Sequence, residues 1–101
     1  MRENFRTYKL AVQFYRIATS LKLPKHLSDQ LARASSSVAL NLAEGAGRET
    51  RADQRRFFTI AFGSLRECQA ILDLASSSNA EALQLADMLA AHTYRLIQGC
   101  R

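Results

Sequence analysis

Four arginines, Arg48, Arg51, Arg55 and Arg56, fall within nine residues of one another. A guanidinium is permanently charged, planar and forked, and it matches the oxygens of a phosphate. The chemistry this cluster offers is therefore anion binding, with no bond made or broken. At about 100° per residue, Arg51, Arg55, Phe62 and Arg66 lie within about 60° on one helical face. An aromatic ring among arginines is able to stack on a base. The same residues also read as a solvated helix face, partly neutralised by Glu49 and Asp53, with Phe62 packed inside the protein. The sequence leaves both readings open.

A second group is polar rather than basic. Gln30, Arg33, Ser37, Asn41 and Glu44 fall within about 80° of helical arc. Buried polar groups are tolerated only when they satisfy one another. The line is therefore read first as fixing helix register or interface geometry, and second as a polar groove for a ligand. Glu67 is the expected partner of Arg33 across helices. Gly63 and Ser64 sit inside a helical stretch, where glycine costs about 1 kcal/mol relative to alanine. Close approach of a neighbouring helix is the expected reason, and the small residues Ser35, Ser36 and Ser37 fit it from the other side.

Other chemistry lacks its residues. A nucleophilic serine needs a histidine and an orienting acid, and no motif links His26 or His92 to Ser64. A di-iron bundle needs Glu-x-x-His pairs, and no Glu here is followed three residues later by His. Cys68 and Cys100 have no neighbouring Cys or His at zinc-ligand spacing. The glycines of E-G-A-G-R end a helix, whereas a phosphate loop follows a strand and opens one. No catalytic residue, metal ligand, cofactor or small-molecule substrate is assigned.

These residues must be held by elements that the apolar rhythm marks out. Helix one is expected from about Asn4 to Leu21, with two apolar stripes nearly opposite each other. Phe5, Tyr8, Val12 and Tyr15 form one; Leu10, Phe14, Ile17 and Leu21 form the other. A helix on the outside of a monomer needs a single stripe, so the second is read first as a contact with another subunit. It is read second as a face whose tyrosines leave their hydroxyls in water and need no partner. Pro24 opens helix two, which continues to about Glu44 and is ended by Gly45 and Gly47. Thr50 and Asp53 cap helix three, which reaches about Ser76. Ser78 and Glu81 form a capping box for helix four. With short connections, the expected fold is all-α, an antiparallel up-down-up-down four-helix bundle.

Length and composition agree with this. A chain of 101 residues suits one domain with one core, here residues 1–101. One proline and four glycines are too few for a protein of strands and turns. No run approaches the roughly 18 apolar residues of a membrane span. The start, M-R-E-N-F-R-T-Y-K, lacks the apolar core of a signal peptide. A cytoplasmic protein with no membrane partner is expected. The net charge of +5 is uneven: residues 1–67 hold 12 Lys/Arg against 6 Asp/Glu, and residues 68–101 hold 2 against 3. Such a bias suits an acidic partner such as nucleic acid.

Two segments carry a resemblance. L-P-K-H-L-S-D-Q-L-A-R-A-S-S-S-V-A-L-N-L-A-E-G-A-G-R resembles the signature of the bacterial family named after the 23S rRNA intervening sequence. F-F-T-I-A-F-G-S-L-R-E is similar to that family's second signature, I-A-x-G-S-x-x-E on helix three. Together they cover about a third of the chain. The resemblance implies a four-helix bundle, with relatives forming a five-membered ring. The family's name comes from genes inside insertions of bacterial 23S rRNA genes. More distant bundles of similar design assist reverse transcriptases. What is implied is a shape and an association with nucleic acid, without a reaction.

The reading that results is a non-enzymatic homo-oligomer, a pentamer by resemblance, that binds RNA or a ribonucleoprotein. Arg48, Arg51, Arg55, Arg56 and Arg66 make the contact, while Arg33, Asn41, Glu44, Gly63, Ser64 and Glu67 serve structure or subunit interfaces. The alternative is a protein–protein assembly scaffold, such as an accessory subunit of a reverse transcriptase.

Overall fold

A computed structural model describes the backbone of residues 2–100 and the side chains of residues 3–100. It contains four helices: α1 (Arg2–Ala18), α2 (Lys25–Ala46), α3 (Arg51–Leu74) and α4 (Ala80–Gly99). No strand occurs among the described residues. The protein is all-α. Each helix packs on two neighbours, α1 against α2 and α4, and α3 against the same two. Glu3 at the start of α1 pairs with Arg95 near the end of α4 at 3.5 Å. That contact, with the short connections, is compatible with the expected up-down-up-down order. No helix among the described residues is long and apolar enough to cross a membrane.

The ends of the helices follow local chemistry, with two departures from expectation. Thr50 caps α3 as expected, its hydroxyl accepting from the Asp53 N–H at 3.1 Å. At α4 the cap is Asn79 instead of Ser78, and its Oδ1 accepts from the Ala82 N–H at 2.9 Å. The shift follows from how α3 stops. Ser76 takes a left-handed conformation with φ 51, and the Ser77 N–H reaches back to the Leu72 carbonyl at 3.0 Å. This is the bond pattern by which helices close on a left-handed residue. It brings Asn79, one residue after Ser78, to the start of α4.

The second departure is at Gly45. Glycine was expected to end α2 there, yet the helix runs on to Ala46 and Gly45 is buried inside it. A Cβ at Gly45 would lie 2.7 Å from Phe58 Cε1 and 3.1 Å from Phe57 Cβ. Gly45 is needed for close packing of α2 on α3. Gly47 does cap the helix, in a right-handed conformation with φ −89.

The core is built from Phe14 of α1, Leu31, Val38 and Leu42 of α2, Phe58, Leu65 and Leu72 of α3, and Leu89 of α4. On α1 the inward line is Thr7, Ala11, Phe14 and Ala18. Leu10, Ile17 and Leu21 flank it, half-buried. Three of the four inward residues are small, so the inward line carries a weak apolar rhythm in the sequence. Thr7 is tolerated inside because its hydroxyl donates to the Glu3 carbonyl at 2.8 Å. The other stripe stays open: Phe5 is 64% exposed, and Tyr8 and Tyr15 are exposed beside half-buried Val12.

Candidate nucleic-acid interface

The α2–α3 turn and the first turns of α3 carry the arginine cluster. It divides into two kinds of residue. Arg48 and Arg56 both stack on Phe57, with their guanidinium carbons 4.6 Å and 4.4 Å from the ring centroid. Arg48 is also held by Glu44, Nη2 to Oε2 at 2.5 Å. Arg56 has Asp53 near its Nε at 3.9 Å, too long for a hydrogen bond. Arg51 and Arg55 are exposed and form no ion pair among the described residues. Phe57 is half-buried, its Cβ against the glycine-sized gap at Gly45. The same packing that demands Gly45 thus seats the ring on which the arginines rest.

Arg66 belongs elsewhere. It lies ten residues beyond Arg56 on the same helix, about 15 Å along the axis. Its Nη1 donates to Gln69 Oε1 at 3.1 Å, and Gln69 Nε2 donates to Asp87 Oδ1 at 3.2 Å. Arg66 therefore serves the α3–α4 groove, beside Asp73 and Asp87. Phe62 is half-buried and packs on Tyr94, with ring centroids 6.3 Å apart. The aromatic that belongs with the arginines is Phe57.

The tertiary fold adds one arginine that sequence spacing missed. A groove lined by Glu3, Asn4, Gln54, Phe58, Arg95 and Cys100 joins the start of α1, the first turns of α3 and the end of α4. Another joins Cys100 to Arg55 and Arg56. Arg95 thus sits at the same end of the molecule as the cluster, though 39 residues separate it from Arg56 in the chain. A helical wheel of α3 holds no signal for it; only the pairing of α4 with α1 and α3 does.

The polar line of α2 is broken up by the fold. Ser37 Oγ and Ser64 Oγ lie 2.9 Å apart across the α2–α3 seam. Asn41 Nδ2 donates to the Ser37 carbonyl at 2.9 Å and to its Oγ at 3.1 Å. The Ser37–Ser64 bond crosses from α2 to α3, while Asn41 braces Ser37 from within α2. Glu44 turns away to Arg48. Arg33 and Glu67 are both exposed, and no ion pair joins them within 4 Å. On a surface, two long side chains gain too little from pairing to offset their lost freedom. Gly63 is exposed, and a Cβ there would meet nothing within 4 Å. The close helix approach expected at Gly63 occurs at Gly45.

Ser64 bonds to a second serine and not to a histidine. No group of three or more His, Cys, Asp or Glu side chains converges among the described residues. Burial pushes the Cys68 thiol up to about 12, with the Glu67 charge adding to the effect. Cys68 is a neutral core residue at physiological pH. What the site presents is a set of fixed and free guanidiniums, able to hold anions.

A family model described as 23S rRNA-intervening sequence protein matches residues 4–99. No curated protein matches the chain.

Proposed function

The chain belongs to the 23S rRNA-intervening sequence protein family, and on that premise we propose that it is a non-enzymatic, cytoplasmic RNA- or ribonucleoprotein-binding protein. In this reading it is an antiparallel up-down-up-down bundle that assembles into a ring of five. The contact is made by Arg48, Arg51, Arg55 and Arg56, with Arg95 beside them. The observation that carries the reading is the cluster itself: two guanidiniums stacked on one ring and two left without ion pairs, all at one end of the molecule. Phosphate contacts of this kind position a nucleic acid without reading its sequence. Ring assembly repeats the patch about an axis and raises its valency.

The test is the absorbance spectrum of protein purified without a high-salt wash, followed by RNA titrations at several salt concentrations. With no Trp and three Tyr, small amounts of bound nucleic acid stand out near 260 nm. Changing Arg51 and Arg55 to Glu should weaken RNA binding and flatten its salt dependence, with helicity and mass unchanged. If the double variant binds RNA as well as the parent, the arginines are only a solvated face.

A second reading is favoured by the exposed apolar side chains. Phe5, Leu40 and Leu74 are 64%, 68% and 72% exposed. Part of this surface is reserved for subunit contacts in the ring; the rest suits a protein partner such as a reverse transcriptase. In that scaffold reading nucleic acid is touched only indirectly, and the arginine variants leave partner capture intact.

A further inference from the structure

We propose that Arg48 and Arg56 act together as one seat for a single phosphodiester of an RNA backbone, with Phe57 as the residue that positions them. The proposal rests on the nucleic-acid reading above and specifies how that surface works. Both guanidinium carbons lie within 4.6 Å of the Phe57 centroid, so they are at most about 9 Å apart. A phosphate held by charge-assisted bonds of 2.7–2.9 Å bridges two guanidinium carbons roughly 8 Å apart. The upper bound exceeds that span by about 1 Å, which rotation of the two solvent-exposed arginine side chains can close, so that one phosphate reaches both.

The ring supplies what free arginines lack. A long side chain loses rotamer freedom when it grips a ligand. Stacking removes much of that freedom beforehand and adds a cation–π attraction. Arg51 and Arg55 have no such support, so they contribute long-range attraction and no fixed seat.

Two guanidiniums on one ring repel each other, and the nearby Glu44 and Asp53 carboxylates offset the repulsion in the free protein. Neither carboxylate fills the seat. Glu44 engages one terminal nitrogen of Arg48. The 3.9 Å contact of Asp53 is to Arg56 Nε, and no hydrogen bond from the Arg56 side chain is formed among the described residues. A phosphate binds the Arg48 nitrogens that Glu44 leaves free together with the Arg56 guanidinium, and the Glu44 charge beside them opposes its approach. Removing the Glu44 charge should then strengthen RNA binding.

The experiment is a double-variant cycle on the full chain with a short single-stranded RNA of mixed sequence. Arg48→Gln and Arg56→Gln should each lower affinity roughly tenfold. The double variant should lose little more than either alone, since both serve the same phosphate. Phe57→Leu should lose roughly fivefold at unchanged net charge and unchanged salt slope, and Glu44→Gln should gain affinity. Single losses that multiply to roughly a hundredfold in the double variant would overturn the seat, as would a folded Phe57→Leu protein that binds like the parent. If Phe57→Leu does not fold, the arginine cycle decides alone. A parent that binds no RNA at low salt removes the nucleic-acid reading and the seat with it. A parent that binds RNA with independent arginine effects removes only the seat.

Discussion

Gly45 faces Phe58 so closely that a Cβ at Gly45 would stand 2.7 Å from the ring's Cε1 and 2.8 Å from its Cδ1. Phe58 is 1% exposed and has no room to swing aside. Gly45→Ala should therefore destabilise the fold by about 1–3 kcal/mol, the usual range for an overpacked core. The helix-propensity gain of alanine, about 1 kcal/mol in a helix interior, is smaller for Gly45 in the last turn of α2 and offsets only part of this. Chemical denaturation of parent and variant measures the difference. A stabilised variant would show that α2 and α3 are not packed as described.

Gly63 should behave in the opposite way. It lies in the interior of α3 with open space around it. Gly63→Ala should raise subunit stability by up to about 1 kcal/mol. Light scattering on the same variant adds a second readout. An alanine that shifts the assembly toward monomer would place Gly63 in a tight contact between subunits.

Ser76 holds a left-handed conformation at the end of α3, which is strained for a residue with a Cβ. Ser76→Gly should stabilise the protein by roughly 0.5–1 kcal/mol, part of the relief being offset by the greater freedom of glycine in the unfolded chain. The thermal midpoint measures the change. An unchanged or lower midpoint would mean that the Ser76 side chain contributes more than its conformation costs.

Burial raises the Cys68 thiol from 9.0 to about 12. The sign follows from linkage: the folded state favours the neutral thiol, and the unfolded state ionises first as pH rises. The contribution of Cys68 is fully present below about pH 9 and is lost between about pH 9 and 12. Stability measured against pH should fall across that window more steeply than in Cys68→Ala. The alanine variant starts lower because of the cavity it leaves. Cys68 should also resist thiol reagents until the protein unfolds. Rapid labelling in native buffer would contradict its burial.

The outward stripe of α1 offers the test of assembly. Phe14 is wholly buried within the subunit, so a charge there should unfold it and says nothing about neighbours. Tyr8 and Tyr15 are exposed on the other stripe. Tyr8→Asp with Tyr15→Asp should leave helicity intact and reduce the mass seen by light scattering from a ring to a monomer. A parent that is already a monomer at micromolar concentration would remove the ring.

The helical rhythm of the apolar residues was enough to reveal four helices and most of their core, because 3.6-residue periodicity is a local property of the chain. The cap at Thr50 and the family signatures are local in the same sense. What the sequence could not show was which partner each residue meets. Gly45 and Gly63 look alike in a sequence; one sits under Phe58 and the other faces open space. Phe57 and Phe62 are equally aromatic, yet Phe57 supports two arginines while Phe62 packs on Tyr94. Glu44 lies on the stripe of Arg33 but pairs with Arg48. Arg95 joins the basic end only because α4 returns beside the start of α1. These choices depend on distances between helices, and the order of residues along one helix carries no information about them.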